Sequence, residues 1–158
     1  MLNIKLVAVG KIKENFHKDQ IIELSKRLSR YCKLNIIEVD ECKLKDESQA
    51  SINQLLVKEG ENLLKQIKEN EYLILLDLHG KEVSSEEFAT TIDKLQSISR
   101  PITFAIGGSY GLSNQVRERS NFKLKLSQMT FTHQMTRIII LEQIYRAFKI
   151  INNETYHK

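Results

Sequence analysis

No apolar run in these 158 residues is long enough to cross a bilayer. The opening stretch, Met1 to Gly10, is apolar only briefly and meets Lys5 too soon for a signal peptide. It reads as a first strand, and the protein is expected to stay in the cytoplasm. Cysteine is scarce, and Cys32 and Cys42 match no metal-binding or redox spacing. Free thiols suit a reducing compartment. The four histidines, His17, His79, His133 and His157, are scattered, so no metal site is expected. Repeats, low-complexity tracts and linkers are missing, and residues 1–158 are expected to form one domain. Strong charge of one sign is missing too. A net charge of +4 permits an RNA or phosphate partner without demanding one.

What is present is an alternation of strand and helix patterns. Apolar runs at Ile4–Val9, Leu34–Val39, Tyr72–Leu78 and Ile102–Ile106 read as strands, and so does the alternating stretch Lys123–Ser127. Tyr72–Leu78 is the most apolar of them and is expected at the centre of the sheet. Between them, residues 14–31 and 48–68 keep helical spacing, Phe88, Ile92 and Leu95 give a third helix its core face, and a short helix is expected near Ser113–Arg119. Ser84 followed by Glu87 is a capping-box signature. A long helix over roughly Gln134–Asn152 ends the pattern. Strict alternation predicts an α/β fold, a mostly parallel sheet flanked by helices.

Glycine is sparse, with six in the chain, yet three of them fall in one loop. Phe104 to Gly111 reads Phe-Ala-Ile-Gly-Gly-Ser-Tyr-Gly, an apolar strand ending in a loop free to take positive φ. Both a tight strand-to-helix turn and a ligand loop fit it. It lacks the Gly-Lys-Ser/Thr ending of a Walker loop and the G-x-G-x-x-G spacing of a dinucleotide fold. Two other loops follow strands in the same half, His79-Gly80-Lys81 and Ser127 to His133. In a parallel sheet all three open on one rim, where ligands of α/β sheets sit. Their Leu, Met and Phe residues predict a pocket for a neutral or cationic nucleoside.

The last helix is apolar on nearly all sides, which points to burial or to a shared subunit interface. Glu142 and Arg146 have the spacing of a helix salt bridge. His133, just before that helix, fits a capping or packing role as well as a catalytic one. The terminal Tyr156-His157-Lys158 has the default expectation of disorder, but it also carries the groups that clamp a base and a phosphate. Arg117, Arg119, Lys123 and Lys125 form the densest basic stretch, either a solvated face or a contact for RNA phosphates.

Four segments together resemble one family. Ile106-Gly-Gly-Ser-Tyr-Gly111, Ser127-Gln-Met-Thr-Phe-Thr-His133, Glu142-Gln-Ile-Tyr-Arg-Ala147 and Tyr156-His-Lys158 are similar, in register over the whole length, to the RlmH family of SPOUT-class ribosomal RNA large-subunit methyltransferases. The resemblance implies a C-terminal trefoil knot and an obligate homodimer. It implies transfer of a methyl group from S-adenosylmethionine to N3 of a pseudouridine in 23S ribosomal RNA, on the assembled ribosome. The donor-binding residues it implies are Leu76, Gly107, Leu126, Ser127, Gln128, Met129, Thr130 and Phe131. One departure is Thr132, where relatives often have proline, which is expected to loosen the third loop.

The ring nitrogen to be methylated carries a proton that must leave before or during attack. His157 and His133 are the candidate bases, Arg146 the candidate for stabilising negative charge, and Tyr156 with His157 the candidate clamp on the nucleotide. The competing class is a non-catalytic module that binds a nucleoside and RNA on the same fold. A nucleotide hydrolase would need a metal-ligand cluster that the sequence does not offer.

Overall fold

In the computed structural model, which describes residues 1–158, strands and helices alternate from end to end. They run β1 (Leu2–Val9), α1 (Asn15–Leu28), β2 (Cys32–Val39), α2 (Gln49–Leu64), β3 (Tyr72–Lys81), α3 (Ser85–Ser97), β4 (Ile102–Ile106), α4 (Asn114–Arg119), β5 (Phe122–Leu124) and α5 (His133–Ile151). Every pairing is parallel, in the order β2-β1-β4-β3-β5. A parallel sheet needs both faces covered. Helices α1, α3 and α5 pack over Ile4, Leu6, Phe104 and Ile106 on one side. Helices α2 and α4 pack over Val7, Leu73, Leu75 and Ala105 on the other.

The centre of the sheet is β4, not β3 as its apolar sequence suggests. Both strands are covered on two faces, so apolar content reports coverage rather than position. All five residues of β4 are buried. Strand β3 also runs through His79-Gly80-Lys81 instead of turning out at Leu78. There its register against β5 shifts, so that Leu76 and Lys81 both face Leu124. The shift needs close backbone contact, because a Cβ at Gly80 would lie 2.5 Å from the Lys123 carbonyl oxygen. Strand β5 is three residues long, shorter than the alternation Lys123–Ser127 predicts. Past Leu124 the chain leaves the sheet after one more bond, from the Lys125 amide to the Lys81 carbonyl.

The helix starts follow their sequence signals. Ser84 and Glu87 form the full capping box of α3. Ser48, Ser113 and Thr132 each accept a first-turn amide, at the starts of α2, α4 and α5. Thr132 therefore closes the third loop with a cap. Lys5, the one charge in β1, reaches Glu71 at 2.7 Å and the Gln66 carbonyl at 2.7 Å.

Two buried polar groups stand out. Arg137, 1% exposed, lies one turn into α5. Its Nη1 donates to Glu38 at 2.7 Å, and its Nη2 donates to the carbonyls of Val9 and Gly10 at 3.1 and 2.8 Å. Glu59 of α2, 3% exposed, accepts the Cys42 amide through Oε2 at 2.9 Å, while its Oε1 has no partner. Burial, and to a lesser degree the nearby Glu41, push its carboxyl above the ordinary range.

Replacing Arg137 with Met should cost about 3 kcal/mol or more in urea unfolding, because two carbonyls and a carboxylate lose their donor. A cost below about 1 kcal/mol would show that α5 is held by packing alone. Glu59 gives a pH signature. Its folded pKa lies above its unfolded one, so its ionisation destabilises the fold as pH rises through the usual carboxylate range. Glu59→Gln keeps the acceptor for Cys42 and should raise Tm at about pH 8, with the gain vanishing near about pH 4. A gain independent of pH would contradict this.

Candidate active site

The end of β3 and the loops after β4 and β5 surround one cavity of about 600 Å³, while Gly80 and Lys81, expected in a loop, lie in β3 and off the cavity. That volume suits a nucleoside-sized ligand. The first wall is the end of β3. Leu76 lies on it beside Asp77, whose Oδ1 accepts the His79 amide at 3.0 Å. The Asp77 Oδ2 faces Arg117 Nε of α4 at 3.2 Å.

The second wall is the glycine loop. Its turn is closed by the Gly111 amide donating to the Gly108 carbonyl at 3.1 Å. Gly111 has φ +93°, a region L side chains rarely adopt. At Gly107 a Cβ would meet the Gly111 carbonyl oxygen at 2.4 Å, so a side chain would force the turn open. Both readings of this segment hold together: it is a tight turn, and the turn is a wall of the cavity.

The third wall is the loop into α5. Ser127 Oγ accepts the Met129 amide at 3.0 Å, and Thr132 Oγ1 accepts the Met135 amide at 3.2 Å. Leu126, Ser127, Met129, Thr130 and Phe131 line the cavity, and so do Gly107, Leu76 and His133. Gln128 is exposed and does not line it. Asp77 and Arg117 do line it and are its only permanent charges. The sequence signal for them was weak: Asp77 ends an apolar strand and Arg117 sits in a basic stretch that looks like surface.

Arg146, Tyr156 and His157 are not on this wall. Arg146 lies thirteen residues beyond His133 on the same helix, about 20 Å at helical rise. The tail is ordered against α5 and the start of α3. Tyr156 donates to Glu142 at 2.9 Å, and its ring meets Tyr145 edge-on and lies under Arg146. Arg146 also pairs with Glu142 at 2.8 Å, the helix salt bridge that the spacing predicts.

His157 Nδ1 lies 3.1 Å from Arg146 Nη1, and Nε2 lies 2.7 Å from Glu86. Arginine only donates. Nδ1 is therefore the acceptor, and Nε2–H donates to the Glu86 carboxylate. Burial, with donation to Glu142, pushes the Tyr156 phenol above its ordinary pKa, so it stays protonated at neutral pH.

The basic stretch offers little open charge. Arg117 is turned to Asp77. Arg119 Nη2 donates to the carbonyls of Lys68 and Glu71 at 2.8 and 3.0 Å. Lys125 lies 3.9 Å from Glu82. Only Lys123 is without a side-chain partner. Nowhere do three His, Cys, Asp or Glu side chains gather as metal ligands would, and no helix is long and apolar enough to cross a membrane.

Known proteins share this arrangement. A family profile described as "Predicted SPOUT methyltransferase" matches residues 2–157. "Ribosomal RNA large subunit methyltransferase H" of Clostridium botulinum strain Hall is 51% identical over 99% of this chain and 100% of its own length. The protein of the same name from Clostridium botulinum strain 657 is 50% identical over the same shares. Among solved structures, the SpoU methyltransferase AviRb from Streptomyces viridochromogenes superposes with a TM-score of 0.51 at 16% identity. The match covers 98% of this chain and 62% of that one, and it supports the fold. With a profile spanning nearly every residue and relatives identical at half their positions, the chain belongs to the SPOUT methyltransferase family.

Proposed function

We propose that this methyltransferase acts on N3 of a pseudouridine in 23S ribosomal RNA, with S-adenosylmethionine as donor. It works in the cytoplasm, on the assembled ribosome and as a homodimer. The observation that carries this reading is the convergence of the end of β3 with the loops after β4 and β5 on one cavity. The chain around that cavity shares half its residues with proteins named for ribosomal RNA methylation. The bound donor supplies an electrophilic methyl group on a sulfonium.

The chain's own part is to hold and orient. Leu76, Leu126 and Phe131 give apolar faces for the adenine, and Gly107 with Ser127, Met129 and Thr130 brings backbone close to the ligand. Good alignment supplies up to roughly 7–11 kcal/mol of a barrier. The trefoil knot belongs to the same family reading.

The homodimer resolves the 20 Å gap. His133 lies on the cavity of its own chain, while Arg146, Tyr156 and His157 serve the cavity of the partner. The rim supports a covering subunit. Five of the ten exposed large hydrophobic side chains, Leu78, Tyr110, Met129, Phe131 and Met135, lie on the cavity or on the first turn of α5. In this division Arg146 steadies negative charge on the base, Tyr156 stacks and donates, and a histidine takes the N3 proton. Here His157 Nδ1 accepts from Arg146 and Nε2–H donates to Glu86, so lifting the tail from both frees the Nδ1 lone pair for that task.

Calorimetry with S-adenosylmethionine, followed by transfer of labelled methyl to intact ribosomes and to separated subunits, tests the reading. Binding with transfer to ribosomes is expected. Binding without transfer to any of them would favour a non-catalytic nucleoside- and RNA-binding module. A chain ending at Thr155 should keep donor affinity within about twofold and lose at least about 100-fold in single-turnover methylation. Undiminished transfer would remove the tail from the chemistry.

A further inference from the structure

The cavity wall carries one acid and one base, and their arrangement is unequal. Asp77 is enclosed, with 3% of its side chain exposed. Both its oxygens are engaged, one by the His79 amide and one by Arg117. Arg117 is 34% exposed, and it uses only Nε, at 3.2 Å. Its two Nη groups have no hydrogen-bond partner in the protein. A guanidinium held from behind through Nε presents its outer edge, a fork that matches a carboxylate in two parallel bonds. The rest of the wall is apolar side chains, hydroxyls, two histidines and backbone. An anionic group on a ligand here has one fixed cation to meet.

We propose that Arg117 binds the α-carboxylate of the donor's methionyl arm, and that Asp77 is a positioning residue that aims the guanidinium. The inference rests on the reading of the cavity as the S-adenosylmethionine site. It assigns the amino-acid end of the donor to α4 and the end of β3, and so leaves the apolar third loop to the nucleoside. It also makes Arg117 a specificity element. A nucleoside without a carboxylate leaves the two Nη groups without that partner, and the site then discriminates against it.

The test is calorimetry on the full chain with three probes: S-adenosylhomocysteine, its decarboxylated analogue, and 5′-methylthioadenosine, which lacks the amino-acid arm. In the unaltered chain, loss of the carboxylate should weaken binding about 10- to 100-fold, the range of a charged hydrogen-bonded pair. Arg117→Gln should lose the same factor for S-adenosylhomocysteine and stay within about twofold for methylthioadenosine. Arg117→Lys should recover part of the loss, and Asp77→Asn should fall between Arg117→Gln and the unaltered chain.

Equal affinity of the unaltered chain for S-adenosylhomocysteine and its decarboxylated analogue would overturn the proposal, with no variant needed. So would an Arg117→Gln chain that keeps its affinity for S-adenosylhomocysteine but shows a flatter salt dependence of ribosome binding, since Arg117 would then meet RNA phosphate. Failure of the unaltered chain to bind any of the three would overturn the donor site itself, and this assignment with it.

Discussion

A single guanidinium ties the two ends of this molecule together. Arg137 is sunk where α5 passes over the carboxyl ends of β1 and β2, bonded to the Val9 and Gly10 carbonyls and to Glu38. Glu38 also accepts the Ile12 amide at 2.8 Å, so one carboxylate steadies both the helix and the loop after β1. A buried charge is costly unless it is bonded on several sides, and here Nε alone is left without a partner. The geometry that satisfies Arg137 also fixes the first turn of α5. His133 and the third loop are continuous with that turn, so the roof of the cavity depends on a bond network outside the cavity.

Charge is used sparingly around that roof. Arg119 and Lys125 serve backbone carbonyls and a neighbouring carboxylate, and Arg146 is tied to Glu142 and the tail. The cavity keeps a single ion pair. In a low-dielectric pocket a few fixed charges orient a ligand more firmly than a field of exposed ones would. The exposed apolar side chains at the rim are where the proposed partner subunit would sit.

Much of this was legible in the chain. Alternating periods gave the five strands, the five helices and the α/β class, and Ser84 with Glu87 marked the start of α3 to the residue. The glycine loop and the loop Ser127–His133 were picked out by chemistry and position, and residues of both line one cavity. Strand order was not legible, because β3 and β4 are equally apolar when both are covered. Nor was Arg137, the one buried cation of the last helix, whose carbonyl partners lie more than 120 positions away. Asp77 and Arg117 were missed because a pair forty residues apart has no local signature. The tail defied the expectation of a loose terminus because Tyr156 and His157 find partners on two helices.

The place of β4 in the sheet has a consequence for biosynthesis. Strand β4 lies between β1 and β3, so these two cannot join until residues 102–106 have been made. Over the first hundred residues, a nascent chain can pair β1 with β2 but leaves one edge of β1 and both edges of β3 bare. Parallel strands with open edges invite wrong partners and are slow to assemble. Insertion of one short, fully buried strand is therefore the step that turns two fragments into one sheet, and the interval before it is when a growing chain most needs shelter from its neighbours.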